Sequence, residues 1–492
     1  MSRVVVIGAG VGGLTAAARL AGAGHDVTVL ERSGTLGGKL GVFERDGFRF
    51  DTGPSLLTLP QVFTELDLGP VELDPVVRHF FADGTVLDSS SDHEVFLSRI
   101  SDALGSGAAD DWDRFWKRAA RIWNASWRSV LRKPVTPASL LGLTWRVGDL
   151  AAIAPGMTLR GLGYRYLRDP RLRMMLDRYA TYTGADPRRA PAAHAAVPYA
   201  ELAFGGWYLP GGLGTIATAL ADRCTRAGVR IILDCPVTAI ETANGRVSGV
   251  RFVPSASSAA ASSAAGSSAA GFLPADLVVS NVDALTVYRD LLPSPGRLAG
   301  LTDRSLAGFV LLLGVRGETP SLAHHNVFFP SHYDAEFDAI FGSASRRARP
   351  ADDPTVFVTR AADPSVAPPG SEAWFVLVNA PPHGTGWQSV DWRRPGLAEA
   401  YGKHVLDLLA HRGLDVRDRL VFTETRTPAD VAASTAAPGG AIYGTAGSLM
   451  RPVNHGPVDG LYLVGGSVHP GGGLPMVTLS AQMVADEVGP AR

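Results

Sequence analysis

Gly8, Gly10 and Gly13 stand in a G-x-G-x-x-G spacing, and a carboxylate, Glu31, closes the next apolar run. Those residue types in that order can hold an extended dinucleotide. Gly8 permits a tight turn, Gly10 lets the main chain approach a pyrophosphate, and Gly13 lets a helix pack against a strand. A helix that opens here presents free N–H groups and the positive end of its dipole to the phosphates. An acid about twenty residues beyond the glycines can accept hydrogen bonds from a ribose diol. The same negative charge would repel a 2′-phosphate, which disfavours NADP at this site.

The flanking residues supply the elements such a site needs. Val4-Val5-Val6-Ile7 is a β-branched apolar run that reads as a buried parallel strand. Leu14 to Ala23 is alanine-rich and helix-favouring, Gly24-His25 turns the chain, and Val27-Thr28-Val29-Leu30 reads as a second strand. A lone glycine motif is weak evidence, because glycine-rich turns are common in α/β proteins. Strand, glycines, helix, strand and acid in that order are far more specific. Glycines return in Ser33-Gly34-Thr35-Leu36-Gly37-Gly38-Lys39 and in Asp51-Thr52-Gly53-Pro54-Ser55. Gly37-Gly38 alone is equally a plain turn. So close to the ribose acid, it resembles the two-dinucleotide-binding-domain flavoproteins, whose loop here follows an extended FAD.

Composition bounds the rest. The 492 residues are 46% apolar and only 19% charged, with 46 basic against 47 acidic side chains and a net charge of -1. Global disorder is excluded, and the lack of a basic excess argues against a nucleic-acid partner. Cys224 and Cys235 cannot form a disulfide framework or a four-cysteine zinc site, and a cytoplasmic location is the default. No metal cluster, Ser-His-Asp signature or paired carboxylates at motif spacing is found, so no metal is expected. No apolar run reaches the ~18 residues of a spanning helix. Arg3 and the run from Val4 imitate a secretory signal, but the glycine spacing accounts for them better.

Further along, Trp112, Trp116, Trp123, Trp127 and Leu131 recur at helical spacing and predict one helix face over 112–131, aromatic core packing being favoured over substrate contact. Residues 134–167 interleave apolar side chains (Leu140, Leu141, Leu143, Trp145, Val147, Leu150, Ile153, Met157) with Arg146, Arg160 and Arg165. Two readings fit equally: a segment lying on a membrane surface, or a helical subdomain packed on itself. Pro210-Gly211-Gly212-Leu213-Gly214 leads into a helix ending near Ala227. A strand is predicted over Gly228–Leu233 and continued by Pro236–Ile240, then a hairpin at Asn244-Gly245 and a return strand over Val247–Val253. Residues 255–270 are almost wholly Ser and Ala and read as a flexible surface-loop insertion. Leu277–Asp283 returns to a buried strand. Phe309–Leu313, Val356–Val358 and Trp374–Val378 predict a second sheet. Leu461–Val464 is a last buried strand, running into a glycine turn and a helix.

Taken together these segments resemble the bacterial phytoene desaturases, the carotenoid-forming FAD oxidoreductases, over nearly the whole chain. The carriers are the N-terminal motif with Glu31, the Gly37-Gly38-Lys39 turn, Asp51-Thr52-Gly53-Pro54-Ser55 and Trp207-Tyr208-Leu209-Pro210-Gly211-Gly212. Ala275-Asp276 with Ser280-Asn281-Val282-Asp283, and Leu463 to Val477 with its His469-Pro470-Gly471, add to them. Arg178-Tyr179-Ala180-Thr181-Tyr182-Thr183-Gly184 also resembles the hydroxycarotenoid desaturase branch.

The resemblance implies an α/β fold: a Rossmann-like FAD-binding domain, an inserted α+β substrate domain and a helical membrane-facing subdomain. The implied division is 1–75, 210–290 and 421–492 for FAD, 76–209 for the membrane-associated substrate part and 291–420 for the substrate domain. The implied reaction is dehydrogenation of phytoene or a related acyclic carotenoid, hydroxylated forms included. Hydride passes to flavin N5, and a quinone or oxygen restores the oxidised cofactor. The implied cytoplasmic enzyme would take its greasy substrate from a membrane surface.

The resemblance places Gly8, Gly10, Gly12 and Gly13 at the FAD phosphates and Glu31 at the ribose, with Arg32 also among the cofactor-binding residues. Gly38 and Lys39 belong near the phosphates or ribitol, and Gly53, Pro54 and Ser55 near the flavin ring. Val237 would hold the adenine through its backbone, Gly465 and Gly466 the phosphate–ribitol side, and Pro475, Met476 and Val477 the pyrimidine edge. For these last three a simple helix-start turn is the competing reading. No catalytic residue is identified; His469 sits in the flavin-side loop, where a hydrogen-bonded loop histidine is an equal reading. Cys224 and Cys235 read as inert buried thiols rather than covalent flavin attachments. A carotenoid or retinoid isomerase or saturase, an amine oxidase-like flavoenzyme, and a non-enzymatic flavin-containing lipid-binding protein are the alternatives on the same scaffold.

Overall fold

Val4 and Val6 fill one face of the strand Arg3–Ile7, Val5 and Ile7 fill the other, and all four are buried. A strand apolar on both faces needs cover on both. The computed structural model, which describes residues 1–134, 147–254, 271–293, 300–446 and 451–491, supplies it. Arg3–Ile7 is the centre of a five-stranded parallel sheet ordered Leu461–Leu463, Leu277–Ser280, Arg3–Ile7, Asp26–Leu30, Arg230–Ile232. The helix Val11–Gly22 lies on one face, with Thr215–Arg226 and Leu474–Val488 packed beside it. An antiparallel sheet of Val237–Ala243, Arg246–Phe252 and Gly271–Pro274 covers the other. Asn244 and Gly245 turn its first hairpin with φ of 53° and 77°, the left-handed pair a two-residue loop requires. The Ser/Ala stretch 255–270, expected as a flexible loop, lies outside the described residues.

A second, seven-stranded sheet runs Leu420–Arg426, Ala307–Arg316, Ser371–Ala380, Val356–Arg360, His325–Phe328, Arg78–Phe80, Val86–Asp88. Only His325–Phe328 and Arg78–Phe80 pair in parallel. Period-two alternation divides its faces. Phe309, Leu311, Val376 and Val378 pack with Tyr401, Val405 and Leu409 of the helix Leu397–His411. Gly308, Val310, Phe375, Leu377 and Phe357 face the interior instead.

Helices His93–Leu104, Ser106–Ser126, Leu159–Tyr166, Pro170–Arg178 and Ala196–Ala203 form a third body with its own core around Trp112, Phe115, Leu162 and Leu176. The tryptophan stripe is on one helix face, as its spacing predicts. The α-helix ends at Ser126, however, and a wider π turn carries Trp127–Leu131. Trp112 is pure core, in edge contact with Phe96, whereas Trp123 also lines the interior cavity. Of the arginine-laced segment 134–167, Leu140, Leu141, Leu143, Trp145 and Arg146 lie outside the described residues. Val147–Ile153 and Leu159–Tyr166 are helical, and Tyr164 is 64% exposed with Arg173 over its ring. Among the described residues no helix is long and apolar enough to cross a membrane.

Candidate active site

One cavity of about 1620 Å³ runs from the strand ends at Ile7 and Leu30 to the interior face of the seven-stranded sheet. Pockets for a single drug-sized ligand hold roughly 300–1,000 Å³, so this one has room for two ligands. Its first half is built from main chain. Gly8, at φ 94°, turns the chain out of the strand, and Gly10 precedes the helix Val11–Gly22. No side chain caps that helix, so its first N–H groups remain available to a ligand. The second glycine turn docks on the first: Gly37 N donates to Ala9 O at 2.9 Å, and a Cβ on Gly38 would lie 3.3 Å from Gly10 Cα.

Gly8, Gly10, Gly12 and Gly38 line the cavity. Gly13 does not. A Cβ there would stand 2.0 Å from Gly8 O, so Gly13 brings helix and turn together, the packing role assigned to the third glycine of the motif. Gly465 is likewise off the cavity wall, where a Cβ would stand 2.5 Å from Asn281 Oδ1. Neither lines the cavity; both shape its wall from behind. Asn281 itself is a site residue the sequence reading left unassigned, although its segment was singled out. It follows the strand Leu277–Ser280, and its amide occupies space that a Cβ on Gly10 or Gly12 would need, at 2.5 and 2.7 Å.

Glu31 is buried against this cradle. Its Oε2 accepts from Ala9 N at 2.7 Å, and its Oε1 accepts from Ser33 N at 2.8 Å and Ser33 Oγ at 3.0 Å. An ionised carboxylate has about four acceptor sites, so capacity for a ribose hydroxyl remains. Arg32 and Val237 line the same end, Arg32 donating to Ala433 O at 2.7 Å. Lys39 reaches the opposite wall, where Nζ donates to Ala441 O and Ile442 O at 2.8 and 2.7 Å. Burial pulls its pKa down to about 8. An uncapped helix start, a Cβ-free cradle and a buried acid with spare acceptors fit an FAD in extended form.

Farther in, Gly53, Pro54 and Ser55 form one wall. Ser55 is fixed by Thr359 Oγ1, which donates to its Oγ at 2.9 Å, and by His325 Nε2, 3.1 Å from its carbonyl. Asp51, just before them, accepts from Leu213 N and Gly214 N at 2.7 and 2.8 Å. The Pro210–Gly214 turn thereby anchors the loop without lining the cavity. Gly466, Pro475, Met476 and Val477 form the facing wall, at the start of the helix Leu474–Val488. Asn454 holds that wall in place, its Nδ2 lying 3.0 Å from each of Leu463 O, His469 O and Ser480 Oγ, its two hydrogens shared among them.

His469 is buried, with Nε2 2.9 Å from Lys133 O and 3.2 Å from Val130 O. Two carbonyls can only accept, so Nε2 carries a hydrogen and donates to the loop 130–133. Cys224 and Cys235 are fully buried, and burial pushes both thiols up to about 11, as inert cysteines require. No metal-ligand cluster occurs among the described residues.

The second half of the cavity is apolar, walled by Leu56, Trp123, Val197, Val310, Phe357 and Leu377. Arg178, Tyr182 and Glu201 interrupt it. Burial raises the Glu201 pKa, and the Tyr179 hydroxyl and Arg178 guanidinium pull it back.

The family described as flavin containing amine oxidoreductase matches residues 11–307. The chain is 34% identical to the 4,4'-diapolycopene oxygenase of Methylomonas sp, over 99% of this chain and 98% of that one. It is 30% identical to the 1-hydroxycarotenoid 3,4-desaturase of Flavobacterium sp. (strain P99-3), over 99% of both. An oxidoreductase of known structure from Methanosarcina mazei superposes with a TM-score of 0.62 at 18% identity, covering 98% of this chain and 100% of that one, which shows the shared fold.

Proposed function

Since this chain belongs to the flavin containing amine oxidoreductase family, and is an FAD-dependent oxidoreductase of its carotenoid-desaturase group, we propose that it introduces double bonds into an acyclic carotenoid. The single observation that carries this reading is continuity: one cavity joins a main-chain dinucleotide cradle to an apolar chamber. A hydrocarbon offers no hydrogen bond, so it is held by shape and by exclusion of water.

Bound FAD supplies the electron acceptor, so that two neighbouring carbons lose a hydride and a proton and a C=C bond forms between them. The chain's own residues do the rest. Gly8, Gly10, Gly12 and the start of the helix Val11–Gly22 hold the phosphates, while Glu31, Arg32 and Val237 hold the adenosine end. Gly38 and Lys39 would lie near the phosphates or ribitol; Gly53, Pro54, Ser55, Gly466, Pro475, Met476 and Val477 would orient the ring. Trp123, Phe357 and Leu377 keep the reacting carbons dry. Residues 1–75, 210–290 and 421–492 form the cofactor part, 76–209 a membrane-associated helical part, and 291–420 the substrate floor. The polyene enters from a bilayer to which a helical surface around Tyr164 and Arg165 binds, and a quinone or dioxygen takes the electrons away.

The test is direct. Holoenzyme in liposomes with an acyclic carotene should yield products lacking the mass of two hydrogens per step. Unchanged mass with altered geometry points to an isomerase, added hydrogen to a saturase, and added oxygen to an oxygenase. Any of these as the sole product overturns the desaturase reading, as does inertness toward every acyclic carotene.

A further inference from the structure

The apolar half of the cavity contains an arginine and a glutamate, Arg178 and Glu201, beside the Tyr182 phenol, polar groups that a pure hydrocarbon would not need. The helix Pro170–Arg178 starts at its cap Asp169 and delivers Arg178 at its end. A 3-10 turn, Tyr179–Thr183, follows and is closed by Gly184 at φ 71°, where a Cβ would meet Ser305 Cβ at 2.3 Å. From the other side the helix Ala196–Ala203 brings Glu201. The Arg178 guanidinium lies 5.3 Å from the ring centroids of Tyr182 and of Phe357, and it makes no ion pair among the described residues. Glu201 is 1% exposed. Its Oε1 accepts from Tyr179 Oη at 2.7 Å; its buried Oε2 has no partner within hydrogen-bonding geometry, although the Tyr182 hydroxyl stands close enough to act on both Glu201 and Arg178.

A buried polar atom without a partner is costly, and natural interiors contain few. Arg178 can only donate, and an ionised Glu201 can only accept. A ligand amine would be repelled by Arg178, and a ligand carboxylate by Glu201. A carbonyl would satisfy Arg178 and leave Oε2 unpaired. A hydroxyl both accepts and donates, and being neutral it leaves the charge balance of the two side chains undisturbed. We infer that Arg178 and Glu201 form a polar subsite for a hydroxyl-bearing end of the polyene, Arg178 donating to the hydroxyl oxygen and Glu201 Oε2 accepting its hydrogen.

This inference rests on the acyclic-carotenoid reading, and the experiment separates the two. FAD-loaded wild-type enzyme in liposomes is offered three acyclic polyenes of one chain length: a hydrocarbon, its terminally hydroxylated form and the methyl ether of that form. The hydroxylated polyene should win by at least about tenfold in kcat/KM, chiefly through KM, with the ether between the two because it accepts but cannot donate. Arg178→Met, purified with normal flavin content, should bring the hydroxyl-to-hydrocarbon ratio to near one, and Glu201→Gln should narrow it. Equal turnover of all three by wild type overturns the subsite and leaves desaturation standing. A preference that survives Arg178→Met unchanged also overturns it. The three-polyene comparison needs no variant, so a misfolded Arg178→Met leaves the test intact. No product from any polyene overturns the desaturase reading and the subsite with it.

Discussion

The Glu31 carboxylate accepts the Ala9 amide hydrogen at 2.7 Å, so the acid that follows the second strand also locks the turn that follows the first. Glu31 therefore has two tasks, holding the turn and offering lone pairs to a ribose. Glu31→Lys removes both and leaves a buried amide unpaired, at a cost of about 1–3 kcal/mol. The variant should purify without yellow colour and with a lowered Tm. Glu31→Gln keeps an acceptor and should retain flavin with weakened affinity. Full flavin content in Glu31→Lys would show that the acid does not hold the ribose.

Gly10 and Gly13 should respond differently to the same added methyl. On Gly13 it strikes the Gly8 carbonyl at 2.0 Å, a main-chain atom that cannot move away. Gly13→Ala should lose about 3 kcal/mol or more and express poorly. On Gly10 it strikes the tip of the Asn281 side chain at 2.5 Å. Gly10→Ala should weaken FAD binding, and adding Asn281→Ala should recover part of that affinity. Calorimetric titration of apoprotein with FAD reads the coupling; strictly additive effects would remove Asn281 from the cradle.

Lys39 gives a pH signature. Its pKa is pulled from 10.5 to about 8 by burial. Below pH 8 folded and unfolded chains both carry the proton, and the burial penalty is complete. Between pH 8 and 10.5 the folded chain has released it while the unfolded chain still holds it, so this residue makes stability rise with pH. Urea melts of flavin-free protein across that window should show a rising contribution that Lys39→Met removes. A wild-type-minus-variant difference that is flat with pH would contradict this.

Trp112 is fully buried between Phe96 and Phe115, whereas Trp123 faces the cavity on one side. Trp112→Ala should cost about 3–5 kcal/mol of stability and spare substrate affinity per folded molecule. Trp123→Ala should chiefly raise KM. Denaturant melts beside steady-state kinetics separate the two.

Tyr164 and Arg165 are exposed on the helix Leu159–Tyr166, with Arg173 stacked on the tyrosine. If this surface meets a bilayer, Tyr164→Ala with Arg165→Glu should cut flotation with anionic liposomes severalfold and leave Tm unchanged. Undiminished flotation would put the contact elsewhere.

The cofactor half was readable in advance because its signals are local. Val4–Ile7, the glycine spacing and Glu31 fall within one short stretch, and a doubly buried parallel strand is a continuous apolar run wherever it occurs. What escaped depends on distance along the chain. Asn281 enters the glycine cradle from a strand far downstream, and Lys39 finds its carbonyls at Ala441 and Ile442. Arg178 and Glu201 are ordinary surface-type residues in the sequence; only a fold that encloses both makes them conspicuous. Gly13 and Gly465 carry the same letter as their neighbours, and nothing local separates a glycine that touches a ligand from one that lets two backbones meet.

The strand Leu461–Leu463 borders Leu277–Ser280, and the helix Leu474–Val488 lies on Val11–Gly22. A ribosome must therefore release residues past 480 before the glycines made first acquire their opposite wall. Nascent chains should stay unable to capture flavin until the strand Leu461–Leu463 and the helix Leu474–Val488 have emerged. For this polypeptide, cofactor supply acts only after these distant segments have met the first glycines, and cannot guide the early steps of folding.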